Sequence, residues 1–170
     1  EAWVAEHGGA LAGTPREAAE GAAFVFACVG NDHDLREVTV GPDGAFAGMA
    51  GGAVFVDHTT ASASLARELN AAAVARGLHF VDAPVSGGNL GALNGALTVM
   101  CGGDAEAFAR VRPIALAYAK AMTLLGASGR LSGWTRSSIP ESRRTPPTIA
   151  SSAKICRATT PGITCTACWA

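Results

Sequence analysis

The chain has 170 residues, 49% of them apolar, and 13 Lys and Arg against 14 Asp and Glu give a formal charge of −1. That is enough apolar sequence for one domain with a core, and too little net charge to draw the whole chain to nucleic acid or an anionic membrane. No run of about 18 apolar residues is present to cross a bilayer, no secretory leader pattern opens the sequence, and five irregularly spaced Cys make no disulfide framework, so a soluble protein of a reducing cytoplasm is expected.

In chain order, short apolar runs alternate with longer amphipathic ones. Thr14, Pro15 and Glu17 form a capping box that opens a short helix. A first strand is predicted over Ala23 to Val29, a helix follows Asn31 and Asp32, and the Gly41, Pro42, Asp43, Gly44 cluster supplies turn chemistry. A second strand spans Ala53 to Asp57. The longest helix runs from about Ser62 to Arg76, with Leu65, Leu69, Ala72 and Ala73 on one face and Gly77 just past its end. Strands at Leu78 to Asp82, Ala96 to Cys101 and Met122 to Gly126 complete the set. Between the last two lies a helix capped by Asp104, with Phe108, Val111, Ala115 and Tyr118 inward and Pro113 bending it. Strand, helix, strand with short connections is the pattern of an open, mostly parallel, doubly wound sheet, in which ligands bind beyond the carboxyl ends of the strands.

The near-neutral charge conceals a seam. Residues 1–129 hold 7 basic and 13 acidic residues, a net of −6, whereas residues 130–170 hold 6 basic residues and the single acid Glu141, a net of +5. Those 41 residues also hold 13 Ser and Thr, 4 Pro and 3 of the 5 Cys, with no helical period and no sustained alternation. Two segments are therefore expected: a partial domain over 1–129 and an irregular tail, foreign to it, over 130–170.

Three strand ends carry polar chemistry. Val29, Gly30 and Asn31 follow the first strand, where Gly lets a flat ligand approach the backbone, although a plain turn needs the same residues. Asp57, His58, Thr59 and Thr60 follow the second, with hydroxyls that suit either a ligand or the cap of the next helix. After the third, Asp82, Ala83, Pro84, Val85, Ser86, Gly87, Gly88 place a hydroxyl and two glycine amides where a carboxylate or phosphate can be cradled. The Lys and Ser or Thr that a Walker loop requires are missing.

The stretches VDHTTASA, FVDAPVSGG and GALTVMCGG resemble the β-hydroxyacid dehydrogenases, the family of 3-hydroxyisobutyrate and tartronate semialdehyde reductases related to 6-phosphogluconate dehydrogenase. The resemblance covers residues 1–129 and implies an incomplete Rossmann-type domain that binds NAD or NADP and handles a small hydroxy acid by hydride transfer. It implies that Val29 and Gly30 lie along the cofactor, where the family has Leu and Pro. It also implies that Thr60 reaches the nicotinamide ribose, and that Ser86, Gly87 and Gly88 hold the substrate carboxylate.

Two parts of the family pattern are missing from this sequence. The family opens with a strand, a GxGxxG-type pyrophosphate loop and a cofactor-selecting second strand, and residues 1–22 contain no substitute for these. Its proton-transfer Lys sits in a GxGxxxKxxN helix after the last strand, where this chain has GASGRLSGWTRSSIP. No catalytic residue is therefore assigned, and the chain by itself is expected to be inactive. A start at Glu1 and the seam near residues 127–131 suggest a piece of a longer chain joined to an out-of-frame tail. Relatives pair into oligomers largely through a helical second domain, so the resemblance leaves the state of this chain open.

Other features have plainer readings. His7, His33, His58 and His79 share no close spacing on one element, so no metal site is assigned. The Cys165–Cys168 spacing lacks the context of a redox motif, and Cys28 and Cys101 read as small core residues. A methyltransferase would need a glycine-rich loop that is absent. The remaining rival is a non-catalytic binding protein whose Arg136, Arg143, Arg144 and Arg157 meet an anionic partner such as RNA.

Overall fold

The computed structural model describes residues 2–130, 156–160 and 163–167. Helix α1 (Ala2–His7) leads to strand β1 (Ala10–Leu11) and helix α2 (Pro15–Ala19). The Thr14 hydroxyl accepts from Glu17 N–H, as the capping box predicts, but the Glu17 carboxylate accepts from Gly13 N–H, one residue before the cap. Strand β2 (Phe24–Ala27) is followed by α3 (Asp32–Val40), whose cap Asn31 accepts from Asp34 N–H. Next come a 3₁₀ turn (Ala45–Ala47), strand β3 (Val54–Asp57), helix α4 (Ala63–Val74) and strand β4 (His79–Asp82). Strand β5 (Val85–Ser86), helix α5 (Gly88–Leu93), strand β6 (Leu97–Gly103), helix α6 (Ala105–Ala115) and strand β7 (Ala119–Gly126) complete the main body.

The sheet is mixed and mostly parallel. β2 pairs with β3, β3 with β4 and β6 with β7 in parallel, while β4 and β5 run antiparallel along β6. β4 and β5 keep one register against β6, with Asp82 opposite Gly102 and Val85 opposite Val99. They are one extended segment interrupted at Ala83 and Pro84, because proline has no N–H to give the ladder; its carbonyl still accepts from Met100 N–H.

Each sheet face carries its own core, as a doubly wound fold requires. On one side Leu35 from α3 and Leu65, Leu69 and Ala73 from α4 cover Val25, Phe55 and Phe80, the two Phe rings stacking at 6.0 Å. On the other, Ala107, Val111 and Ala115 from α6 cover Phe26, Val56, Val81 and Val99. Pro113 is accommodated in the last turn of α6, and Asp104 caps that helix by accepting from Glu106 and Ala107 N–H.

The five predicted strands and the three main helices are present, with ends shifted by a few residues. β1, β5, α1 and α5 are additions. Two further strands lie in the segment expected to be irregular: β8 (Cys156–Thr160) and β9 (Ile163–Ala167) pair antiparallel, and β8 pairs with β1. Their segments, CRATT and ITCTA, alternate over five residues each, a signal masked by the Pro-, Ser- and Thr-rich composition around them. Residues 131–155, 161–162 and 168–170, which include Trp134, Arg136, Arg143, Arg144, Lys154 and Cys168, lie outside the described residues. Among the described residues, no helix is long and apolar enough to cross a membrane.

Candidate functional site

The predicted site residues sit at the carboxyl ends of β2, β3 and β4. These ends are stitched together beyond the strands themselves: His58 N–H donates to Ala27 O and Ala83 N–H to Asp57 O, both at 2.7 Å. Val29 N–H donates to the Thr59 hydroxyl at 3.0 Å, which joins the loop after β2 to the loop after β3. Thr59 is therefore buried and structural, while its neighbour Thr60 is exposed, as is Gly30. Thr60 lines a small depression together with Asp57, Thr59, Ala61, Ala66, Asp82 and Pro84.

Two carboxylates form the inner wall. Asp57 and Asp82 are the last residues of adjacent parallel strands, in register, and are 1% and 5% exposed. Asp57 Oδ1 accepts from Thr59 N–H at 2.9 Å and Asp82 Oδ1 from Gly129 N–H at 3.1 Å. The Oδ2 atoms of both are buried without a hydrogen-bond partner, and so is Ser128 Oγ, which lies near enough to influence Asp82 without a sound bond to it. Burial raises the Asp57 carboxyl to about 7, against the opposing pull of Thr59, and the Asp82 and Asp32 charges add to the rise. Burial likewise raises Asp82, offset in part by Gly129 N–H and the Ser128 hydroxyl. The sequence marks both aspartates as strand ends; their pairing is a property of register.

The Ser86–Gly88 turn, expected from the sequence to face a substrate, follows directly. Ser86 ends β5 opposite Thr98, Gly87 caps α5 with φ +131° and Gly88 has φ +59°. All three are exposed, and these positive φ values are what glycine alone adopts easily. They do not line the depression but begin two residues beyond Pro84, which does. A Cβ on Gly87 would also come within 3.1 Å of Leu97 Cδ2.

His58 makes contacts that the sequence did not suggest. Its Nδ1 lies 2.6 Å from Ala83 O and its Nε2 2.7 Å from the Tyr118 hydroxyl, with the Phe26 ring 5.9 Å from its own. Burial holds the imidazole pKa below its ordinary value, although the Ala83 carbonyl pulls the other way. Cys28 and Cys101 suit a core role: burial raises the Cys28 thiol, and burial together with the Asp82 charge pushes Cys101 up to about 12. Among the described residues no cluster of three His, Cys, Asp or Glu could hold a metal.

With this geometry in place, the comparisons are specific. The profile of the NAD binding domain of 6-phosphogluconate dehydrogenase matches residues 1–126. An uncharacterized oxidoreductase of Shewanella frigidimarina is 54% identical over 127 residues, which are 75% of this chain and 44% of that protein. The 3-hydroxyisobutyrate dehydrogenase of Mycobacterium tuberculosis, solved with L-serine, superposes with a TM-score of 0.72 at 31% identity, over 78% of this chain and 44% of that one. Psf3, solved in complex with NADP+ and 2-OPP, superposes at 0.68 with 28% identity, over 72% and 43%. The chain thus spans less than half the length of each of these relatives. It belongs to the family of the NAD-binding domain of 6-phosphogluconate dehydrogenase, a family of NAD(P)-dependent oxidoreductases that includes the 3-hydroxyisobutyrate dehydrogenases.

Proposed function

We infer that the chain is the nicotinamide side of the cofactor domain of a dehydrogenase acting on a small 3-hydroxy acid of the 3-hydroxyisobutyrate kind, with NAD or NADP as cofactor. In this reading Val29 and Gly30 flank the cofactor, the Thr60 hydroxyl meets the nicotinamide ribose, and Ser86 with the Gly87 and Gly88 backbone receives the substrate carboxylate. The observation that carries it is the convergence of the loops after β2, β3 and β4, with exposed Thr60 and Gly30 on one side and the exposed Ser86–Gly88 turn just past Pro84. Strand-end clefts of this kind are where open α/β sheets bind their ligands.

The described residues suit one end of the cofactor. Thr60 offers an exposed hydroxyl, and Gly30 presents bare backbone at a position where a Cβ would come within 3.2 Å of Asp34 Oδ2. The pyrophosphate has no counterpart among them, since no strand here runs into a GxGxxG turn and a helix. When bound, the nicotinamide supplies the carbon that gives or takes hydride. The residues of this chain bind and orient: Thr60 fixes the ribose, and Ser86 to Gly88 fix the acid. Proton transfer needs a Lys that the family pattern places just after Gly126, where residues 127–140 hold none and the next Lys is Lys154 in the tail, so turnover by the 170-residue chain is expected to be absent.

Titration of the chain with reduced nicotinamide mononucleotide and with 3-hydroxyisobutyrate tests the reading. Saturable binding of both, weakened by Thr60→Ala and Ser86→Ala respectively, supports it. Failure of the intact chain to bind either overturns it.

A further inference from the structure

The His58 contacts fix more than the orientation of one ring. A carbonyl oxygen can only accept, so at 2.6 Å from Ala83 O the Nδ1 atom must carry the proton. Nε2 is then a bare lone pair, and at 2.7 Å it accepts from the Tyr118 hydroxyl. Three separate pieces of chain meet in this one ring: the loop after β3, which leads to Thr60; the Ala83–Pro84 break, which leads to Ser86, Gly87 and Gly88; and the turn after α6, which holds Tyr118. Phe26 lies against both rings, at 5.9 Å from His58 and edge-on at 6.4 Å from Tyr118, so the arrangement is packed as well as bonded.

The position of Ala83 gives the contact its leverage. Ala83 is fully buried, and its peptide precedes Pro84, where the extended β4–β5 segment lacks a ladder N–H. A buried carbonyl that loses its donor is left unsatisfied away from water, so the break gains by keeping the imidazole in the form that presents Nδ1–H. Other backbone bonds act here too: His58 N–H to Ala27 O and Ala83 N–H to Asp57 O bind the strand ends, and Met100 N–H to Pro84 O with the Ser86–Thr98 pair holds the turn to β6, but none of them reaches Tyr118.

We propose that His58 is a positioning residue that couples the two halves of the site, holding the Ser86–Gly88 turn in register with the Thr60 loop through Nδ1–H to Ala83 O while the Tyr118 hydroxyl, donating to Nε2, braces the ring. The assignment of ligands to those halves rests on the reading above; the clamp itself rests on the three contacts. Its consequence is thermodynamic coupling: a ligand that orders one loop pre-orders the other, so each ligand tightens the binding of its partner by the same factor.

Two isosteric half-replacements separate the bonds. Asn places its amide nitrogen near the Nδ1 position, so His58→Asn keeps a donor for Ala83 O and loses the acceptor for Tyr118. Gln reaches the Nε2 position instead, so His58→Gln keeps the Tyr118 bond and loses the one to Ala83. Reduced nicotinamide mononucleotide is titrated into the full chain with and without saturating 3-hydroxyisobutyrate, and amide exchange is followed at residues 59–61 and 83–88. In the unsubstituted chain the mononucleotide should bind at least about fivefold tighter when the acid is present. His58→Asn should keep most of that factor, and His58→Gln should bring it close to one and speed exchange in both loops.

Should His58→Gln fail to fold, the ¹⁵N shifts of His58 carry the test: the Nδ1–H form is expected in the unsubstituted chain and should persist in Tyr118→Phe, because Ala83 O imposes it. Coupling that survives in His58→Gln, or an Nε2–H tautomer in the unsubstituted chain, overturns the proposal. An intact chain that binds neither probe overturns the ligand reading instead, and the exchange comparison still decides the clamp.

Discussion

Asp57 and Asp82 stand side by side at the carboxyl ends of β3 and β4, each with one oxygen held by a backbone N–H and the other buried without a partner. Two anions in this arrangement face both desolvation and each other, and the chain relieves the conflict by holding Asp57 up to a pKa of about 7. Near neutral pH the pair thus carries less than its full charge, at the floor of the depression that Thr60 and Pro84 border.

The first prediction is a pH dependence set by Asp57. Its folded value of about 7 lies above its ordinary 3.8, so the folded state holds a proton that the unfolded state releases. The resulting stability is full below pH 3.8 and is lost as pH rises to about 7. Asp57→Asn keeps an oxygen for Thr59 N–H and removes the ionisation. Its melting temperature relative to the unsubstituted chain should therefore rise steadily from pH 4 to pH 7.5, for a gain of up to about 4 kcal/mol above pH 7. Parallel melting curves at all pH values would show that Asp57 does not titrate in the fold.

His58 should act in the opposite direction. Its folded pKa lies below the ordinary 6.5, so the unfolded state binds the extra proton first, and stability falls as pH drops from 6.5 through the folded value. Protonation would put a hydrogen on Nε2, where Tyr118 now donates. The ¹H–¹⁵N spectrum of the imidazole should show the neutral form at pH 6.5, and the hydrogen bond from Tyr118 should break only in more acid solution.

Gly102 tests the packing around Asp82. A Cβ at this position would lie 2.7 Å from both Asp82 oxygens and 2.9 Å from Ala127 O, and neither the strand end nor the backbone after β7 can retreat freely. Gly102→Ala should cost about 1–3 kcal/mol in urea unfolding. It should also expose Gly129 N–H to exchange, because the carboxylate that accepts from it must move.

Thr59 and Thr60 are adjacent and should behave differently. Thr59→Val removes the acceptor of Val29 N–H inside the fold, a loss of about 1–2 kcal/mol in stability. Thr60→Ala touches an exposed hydroxyl and should leave the melting temperature within about 2 °C, since a surface change of under about 0.5 kcal/mol moves it little. Its effect should fall on the affinity for reduced nicotinamide mononucleotide, measured by fluorescence titration.

Much of the fold was legible because its boundaries are chemical. Asp57 and Asp82 end strands, Asn31, Ser62 and Asp104 cap helices, and the Leu65, Leu69, Ala73 stripe is the buried face of α4. What escaped was weakly patterned: β5 has two residues after a proline, and α5, with the sequence GNLGAL, contains two glycines and buries none of its residues. Tail strands β8 and β9, CRATT and ITCTA, do alternate, but only over five residues each in a Pro-, Ser- and Thr-rich stretch whose composition outweighed that signal. The site divides along the same line. Loops after strands can be found from Gly, Ser and Thr in the sequence, and the family resemblance gave the roles expected of them. Contacts set by register or by distant packing, such as Asp57 with Asp82 or His58 with Tyr118 sixty residues on, exist only once the sheet has formed.

The central claim is that the cofactor and the acid meet at the carboxyl ends of β2, β3 and β4. Backbone amide shifts of the 170-residue chain on addition of reduced nicotinamide mononucleotide and then 3-hydroxyisobutyrate test it most directly. Shifts are expected at residues 28–31 and 59–61 with the first ligand and at 83–88 with the second, with no turnover when NAD or NADP is supplied. Shifts centred on residues 130–170, or none at the strand ends, would contradict it.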